Sequence, residues 1–516
     1  ALSSEAKFTN LSFAKKRDTV IPMFMGWLLD RVLLPCGNIR SDADPLAVKH
    51  FRQVCYSFYK LEIPFNPASI KSVLADFVSV DASLVNDFTG DSKILSGARL
   101  LVTRVLSSFD PSSINPRHGP GAVSTGERNW EKMQFKRFYP SIEEVYPYAD
   151  NFFLNYSHLC DKLEGLQSLL YDTCPTAKVV LVPKDSRGPR LISCEPLEVQ
   201  WIQQGLYRPL VNWLESHRIT SGHINFRDQS INQRLALIGS TQVKGWVTLD
   251  LKEASDRVSL KLVKELFADS AILPYLLGTR SVKTVLPTGE EVELQKFAPM
   301  GSALCFPVEA LCFFALCVSA ISRRRNWGLV RASRNVYVYG DDIVIPHEDY
   351  PCVIEALEGF HLLVNRSKSC TAGFFRESCG VDAFKGVIVT PTRFRSVPMW
   401  SKRSHNYVSW IEYSNSLWDN NYIACAEYIR REVSLRKECW ITPKKLGFPT
   451  FVREYAVQPY IEGRNGLRRY NRKLNRLEIK GTAPEPVKVQ GRNSGWCELL
   501  RCLPHYTETQ RDPFHG

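Results

Sequence analysis

The chain has 516 residues, 44% of them hydrophobic, which is enough apolar material for a large multi-lobed core and excludes wholesale disorder. Lys and Arg number 66 against 53 Asp and Glu, a formal net charge of +13, and a surplus of that size favours a polyanionic partner, nucleic acid above all, with an anionic membrane surface as the alternative. The 15 cysteines are scattered without Cys-x-x-Cys or Cys/His ligand spacing and read as reduced core thiols.

The opening residues Ala1 to Lys7 are polar and do not read as a signal peptide. The longest apolar stretch, Ala303 to Ile321, is interrupted by Pro307 and Glu309 and makes a poor membrane span. A soluble intracellular protein with no membrane partner is expected. Up to about residue 110 the patterning is mixed helical, with breaks at Pro35-Cys36-Gly37 and Pro64-Phe65-Asn66-Pro67, and the spacing from Ala47 to Leu61 predicts a core helix. Pro116 to Ala122 is too rigid and glycine-rich for a helix interior. Arg117 and His118 beside its Gly-Pro-Gly turn suit phosphates, and a plain surface loop fits equally well.

Residues 177 to 196 predict a strand, a basic turn and a second strand, with Lys178, Lys184, Arg187 and Arg190 almost unopposed by acids. Such a finger suits a triphosphate, which needs several cations at once; a solvated basic loop is the competing reading. A helix rich in Leu, Trp and Gln is predicted over 197 to 216. Asp228 is placed to cap the helix that follows it, and the neighbouring amides and Arg227 equally suit a base or sugar edge. An apolar strand then ends at Asp250, and a helix is expected to start near Ser255 or Asp256. An acid at a strand end faces the edge where open sheets place ligands, whereas Asp256 also suits an N-cap.

Thr284 to Leu294 predicts a hairpin around Pro287-Thr288-Gly289, and Pro299 to Cys305 opens a long apolar helix reaching about Ile321. The Gly301-Ser302 turn at its start suits a backbone phosphate or sugar, or a simple cap. Val336 to Ile345 reads as strand, tight turn and strand, with Asp341 and Asp342 side by side after Gly340. Adjacent carboxylates repel unless a cation lies beside them, and their hard oxygens suit Mg²⁺ or Mn²⁺; a solvated hairpin tip is the alternative. A short helix follows over Tyr350 to Gly359, Lys368 falls in a strand-turn region, and 374 to 380 reads as a turn between strands. From about 400 the chain is expected to be helical, then basic and irregular, with Arg464, Arg468, Arg469, Arg472, Lys473 and Arg476 interleaved with Tyr460 and Tyr470. That mixture suits a single nucleic-acid strand or a solvated tail. No internal repeat, low-complexity tract or Walker A motif is found.

The order of strand-ending Asp250, Gly301-Ser302 before a helix, and Tyr339-Gly340-Asp341-Asp342 resembles motifs A, B and C of viral RNA-dependent RNA polymerases. Asp228 to Ala236, the Asp250-to-Asp256 spacing and Phe375 to Gly380 are similar to the replicase subunits of leviviruses, the positive-strand RNA bacteriophages. The resemblance covers about residues 115 to 395. It implies an α+β right-hand fold with fingers, a palm built on an antiparallel sheet with an RRM-like core, and a thumb. The implied boundaries are an N-terminal region bridging fingers and thumb (1–110), fingers with the basic loop (111–245), palm (246–395, with a finger hairpin inserted at about 280–298), and thumb with the basic C-terminal region (396–516).

The resemblance further implies primer-independent RNA synthesis from NTPs on a single-stranded phage RNA, by two-metal nucleotidyl transfer with Mg²⁺, or Mn²⁺ as a substitute. Asp250, Asp341 and Asp342 would be catalytic and hold metal, with Lys368 as general acid. Lys184, Arg187 and Arg190 would hold the triphosphate, with Asp256 and Ser302 near the ribose. Arg117, Arg376, Arg468 and Arg469 would contact RNA. Implied partners are host elongation factors Tu and Ts and a ribosomal protein, in the cytoplasm of the infected bacterium. The pattern departs where Cys305 and Glu309 replace the Thr and Asn of many viral polymerases, and Cys194-Glu195 stands where a basic residue is more usual. Two other readings stay open: a reverse transcriptase-like polymerase, which usually has an apolar residue in place of Gly340, and a catalytically inert RNA-binding or assembly protein with a degenerate palm.

Overall fold

One helix, Cys305–Arg325, runs through the main core, and its residues are buried almost without a break from Cys305 to Ile321. Apolar side chains on every face demand such burial. Pro307 is tolerated because it falls in the first turn, where a missing N–H breaks no helical bond. The helix outruns the expected end at Ile321 by one turn. Arg323, Arg324 and Arg325 there sit at the negative end of the helix dipole, and Asn326 closes it in the left-handed conformation (φ 51°). By length and composition this helix is capable of crossing a membrane, yet 89% of its apolar window is buried inside the protein. Helices Ser92–Leu106 and Tyr350–Gly359 cover it on the sides not taken by the sheet.

The architecture is α+β, known from a computed structural model that describes residues 14–61, 64–153, 155–161, 163–185, 188–395, 404–432, 437–441 and 468–483. A three-stranded antiparallel sheet has Asp342–Pro346 at its centre, flanked by Trp246–Asp250 and Tyr337–Tyr339. Its register puts Asp250 and Tyr339 on either side of Asp342. Isolated bridges, Thr248 to Cys370 and Ile224 to Val338, extend its two edges. Ile343, Val344 and Ile345 are buried as an unbroken run, the pattern of a strand covered on both faces. Helix Ser230–Gly239 also packs on this sheet.

A second sheet carries the basic finger. Thr176–Asp185 pairs antiparallel with Gly188–Cys194 and parallel with Lys283–Val285, which in turn pairs with Glu291–Glu293. The hairpin expected at 284 to 294 therefore forms and joins the finger sheet. Toward the N-terminus the helix expected over Ala47 to Leu61 is Pro45–Tyr56: Asp44 accepts a hydrogen bond from the Leu46 amide at 2.8 Å and Pro45 pre-sets the first turn, which moves the start forward. Helices Leu197–Ser216 and Tyr350–Gly359 match expectation, whereas the helix after Asp250 is a single turn, Ala254–Arg257.

Three expectations are corrected. Residues 374 to 380 are mostly strand: Phe375–Ser378 pairs with Val381–Phe384, Cys379 and Gly380 make the turn between them at positive φ, and Phe374 ends the turn before the first strand. The Phe375 and Phe384 side chains are both buried in a satellite core, which holds the two segments in register. In the basic C-terminal part, Arg468–Asn471 and Arg476–Ala483 form a hairpin rather than irregular chain, and buried Glu478 draws Arg469, Arg476 and Asn471 together across it. Residues 460 and 464 of that stretch lie outside the described residues.

The third correction concerns Arg376, expected on RNA. It is fully buried, and its guanidinium donates to the carbonyls of Trp246, Ala372, Gly373, Phe375 and Val243. Five donors in a fixed fork meet main chain from two segments, so the side chain clamps the Phe375–Ser378 strand to the entry of the Asp250 strand. Arg376→Ala removes that clamp and strands several buried carbonyls; unfolding free energy from denaturant titration is expected to fall by about 3 kcal/mol or more.

Candidate active site at the end of the central sheet

The sheet brings Asp250, Asp341 and Asp342 to one end. Gly340 makes the turn at φ 59°, and a Cβ there would lie 2.2 Å from a ring carbon of Phe306, so a side chain is barred both by conformation and by space. Asp250 is held from two sides: Asn365 donates from its backbone to the Asp250 carbonyl at 2.8 Å and from its side chain to Oδ2 at 2.9 Å. The Asp250 amide donates to Ser369 Oγ at 3.1 Å, and Lys368 Nζ lies 3.1 Å from Oδ1. Asp342 Oδ2 accepts from the Cys379 amide at 3.0 Å, and its carbonyl accepts from the Asn232 side chain at 3.2 Å.

The electrostatics follow from crowding. Asp341 is open to solvent at its tip, but dense surroundings first, and the Asp250 charge second, raise its pKa; Lys368 and Arg190 pull the other way. Asp342 is raised to about 7 by burial and then by Asp341 and Asp250, against the Cys379 amide. Glu309, buried in the helix beneath, is raised to about 8 by burial and by Asp341. Burial works to lower the pKa of Lys368, but its contact with Asp250 outweighs this and the net shift is upward.

These groups suit a hard divalent cation in donor chemistry: oxygens from two strands, destabilised by their own repulsion, with an ammonium resting on one of them. One oxygen of Asp342 is engaged by a main-chain amide, and those of Asp250 by the Asn365 side-chain amide and the Lys368 ammonium, so a cation at this sheet end would share these oxygens with the groups that already hold them. Among the described residues no group of three or more His, Cys, Asp or Glu side chains is gathered tightly enough to enclose a metal by itself. Bound cations here would therefore complete their shells with water or substrate oxygens, as Mg²⁺ commonly does.

The finger sheet reaches the same site. Arg190 is exposed and near enough for its charge to act on Asp341; Lys184 is exposed on the paired strand, and Arg187 lies outside the described residues. At Gly301 (φ 125°) an added Cβ would stand 2.1 Å from the Ser193 carbonyl, so the Gly301-Ser302 turn is pressed directly onto the finger strand. Ser302 donates to Gln203 Oε1 at 3.1 Å, and Gln203 donates to the Thr279 carbonyl at 2.8 Å. Asp256 accepts from the buried ammonium of Lys296 at 2.9 Å and caps no helix. Asp228 accepts from the Ser230 amide at 2.8 Å, but it stands one residue before the N-cap of that helix, Gln229, which makes no side-chain capping bond.

The other expected contacts lie elsewhere. Arg117 is half-buried, beside a His118 ring packed 4.4 Å from Trp201. Buried Lys132 donates to the Gly119 and Gly121 carbonyls, so this loop is packed against the fold rather than loose. Arg469 pairs with Glu478 at 2.8 Å, and the side chain of Arg468 lies outside the described residues. Asn365, Gln203 and Lys296 were not anticipated. Asn365 precedes Lys368 by three residues and was within reach of a pattern reading, but a lone amide or lysine in an apolar context carries no signal of its own.

Residues 77–424 match the family model described as RNA replicase, beta-chain. Over 279 residues the chain is 33% identical to the RNA-directed RNA polymerase subunit beta of Escherichia virus Qbeta, covering 54% of this chain and 44% of that one. Over 213 residues it is 35% identical to the RNA-directed RNA polymerase beta chain of Escherichia phage MS2, covering 41% and 36%. The matched part spans about half the length of these relatives or less. A solved RNA-dependent RNA polymerase of a human picobirnavirus aligns with a TM-score of 0.46 at 12% identity, over 74% of this chain and 76% of that one.

Glu309 gives the site a pH signature. Its carboxyl keeps a proton in the folded chain up to about pH 8, while the unfolded chain loses it near the ordinary value of 4.5. Between those values the folded state binds more protons, so the group's contribution to stability falls as pH rises. Glu309→Gln is expected to flatten that fall by an amount on the order of a few kcal/mol, read as unfolding free energy at pH 5 and pH 8 in chelator.

Proposed function

Because the chain belongs to the RNA replicase beta-chain family, we propose that it is an RNA-directed RNA polymerase that copies a single-stranded phage RNA from NTPs without a primer. The observation that carries this reading is the gathering of Asp250, Asp341 and Asp342 at one sheet end, under the charges of Lys368 and Arg190. Asp250 and Asp341, with Asp342 beside them, would hold two Mg²⁺ ions, or Mn²⁺ in their place. When bound, such ions supply an acidified 3′-hydroxyl and neutralise charge on the departing pyrophosphate.

The chain's own residues do the rest. Arg190 and Lys184, with Arg187, bind and orient the triphosphate, so that the α-phosphate meets the 3′-oxygen in line. Lys368 carries a proton at Nζ, held there by Asp250, and is poised to deliver it to the leaving pyrophosphate. Ser302 and Asp256 face the ribose. In the right-hand layout, 111–245 are fingers, 246–395 palm and 396–516 thumb, with 1–110 bridging fingers and thumb. The parallel pairing of Lys283–Val285 with Thr176–Asp185 supports assigning the 280–298 hairpin to the fingers. Arg117, Arg468 and Arg469 remain as RNA contacts; the basic surplus supports a polyanionic template. The family supports host elongation factors Tu and Ts and a ribosomal protein as partners, and the cytoplasm of the infected bacterium as the place of action.

Against a reverse transcriptase-like enzyme stands Gly340, whose site has no room for the apolar side chain usual in that class. Asp341→Asn is expected to abolish nucleotide addition on a defined RNA template while leaving RNA binding within a few-fold; activity near wild type, or a wild-type preference for dNTPs, rejects the proposal. Arg190→Ala is expected to raise KM for NTP about tenfold or more with a smaller change in kcat, in steady-state kinetics.

A further inference from the structure

Lys296 is fully buried, and an ammonium removed from water is tolerated only where carboxylates meet it. Its Nζ lies 2.9 Å from Asp256 Oδ1, 3.6 Å from Asp81 Oδ1 and 3.5 Å from the centre of the Phe77 ring. The two carboxylates are not equivalent. Asp81 is buried on helix Pro67–Ser83 and also accepts the backbone amides of Gln295 and Lys296, at 2.9 and 3.0 Å. Asp256 is 25% exposed, at the site.

The main chain around Lys296 is equally fixed. Lys296 bridges to Ser259, the Leu260 amide donates to the Gln295 carbonyl at 2.8 Å, and the Phe297 amide donates to the Val258 carbonyl at 2.8 Å. Asp256 sits in a one-turn helix that begins after a residue in the left-handed conformation, and so short a helix does little to orient a side chain. Its orientation is instead imposed from outside. Lys296 takes Oδ1, which leaves Oδ2 to accept from a ligand hydroxyl.

We propose that Lys296 is a positioning residue that fixes Asp256 to read the sugar of the incoming nucleotide, so that discrimination between ribo- and deoxyribonucleotides is set by the hairpin after Lys283 and by helix Pro67–Ser83, outside the catalytic sheet. The inference rests on the assignment of Asp256 to the ribose. A site built to hydrogen-bond a hydroxyl rejects the analogue lacking it strongly, and it does so only while the acceptor stays in place.

The test uses the full chain and the ratio of kcat/KM for ATP to that for dATP on one RNA template. Lys296→Met, nearly isosteric and uncharged, is expected to lower the ratio about tenfold or more, with template affinity unchanged. Asp256→Asn is expected to lower it comparably, and the double variant no further, since the two act as one unit. If Lys296→Met does not give soluble protein, Lys296→Gln, which keeps an amide donor of similar reach, is scored in its place. A lowered ratio in Asp256→Asn with a wild-type ratio in the Lys296 variant overturns the positioning role while sparing the sugar assignment. A wild-type ratio in Asp256→Asn overturns the sugar assignment and, with it, the inference.

Discussion

Repulsion among carboxylates is the constraint around which this molecule is arranged. Three acids stand at the end of two paired strands, with Glu309 buried beneath them. Nothing in hydrophobic packing favours that arrangement. It persists because each acid is balanced separately: Asp250 by Lys368 and Asn365, Asp342 by the Cys379 amide, Glu309 by retaining its proton, and Asp341 in part by Arg190 from another sheet. Asp341 is the least compensated by direct hydrogen bonds, and it is the most exposed of the three. Burial and mutual charge raise the Asp341 and Asp342 carboxyls together, a clustering of perturbed groups of the kind found at functional sites.

Close contacts between elements keep the field in register. The Gly340 turn rests on Phe306, the second residue of the core helix, and the Gly301 turn before the same helix rests on the Ser193 carbonyl of the finger strand. Two glycines thus set the spacing between the Asp341-Asp342 turn, core helix and basic finger. Each contact is too tight for a methyl group, so the three parts behave as one block. The buried Arg376 fork extends that block to the strand following Lys368.

Much of this was legible in the sequence wherever a local pattern specified both structure and chemistry. The Val336-to-Ile345 hairpin, the helix after Cys305 and the finger strands each show a clear period and turn, and their acids and bases fall at the turns. What stayed hidden depends on long-range partners. Arg376 reads as a surface base from its neighbours and becomes a core clamp only because Trp246 and Val243 present carbonyls to it. Lys296 reads as one charge in a hairpin, and its meaning comes from Asp81, more than two hundred positions away in the chain. The C-terminal hairpin was missed because a run of bases suggests solvation, and the single buried Glu478 that organises it has no periodicity to announce it.

The core helix carries a consequence for biogenesis. Its covers are made at different times: Ser92–Leu106 leaves the ribosome well before Cys305–Arg325, and Tyr350–Gly359 leaves after it. In the interval the cell sees an apolar segment of mean hydropathy 2.0, long enough to span a bilayer, with one flank uncovered. Pro307 and Glu309 fall in its first two turns and three arginines close it, so a nascent chain presents an apolar stretch with charge only near its ends. The burial of that segment belongs to the completed fold and to the order of its synthesis, not to the segment itself.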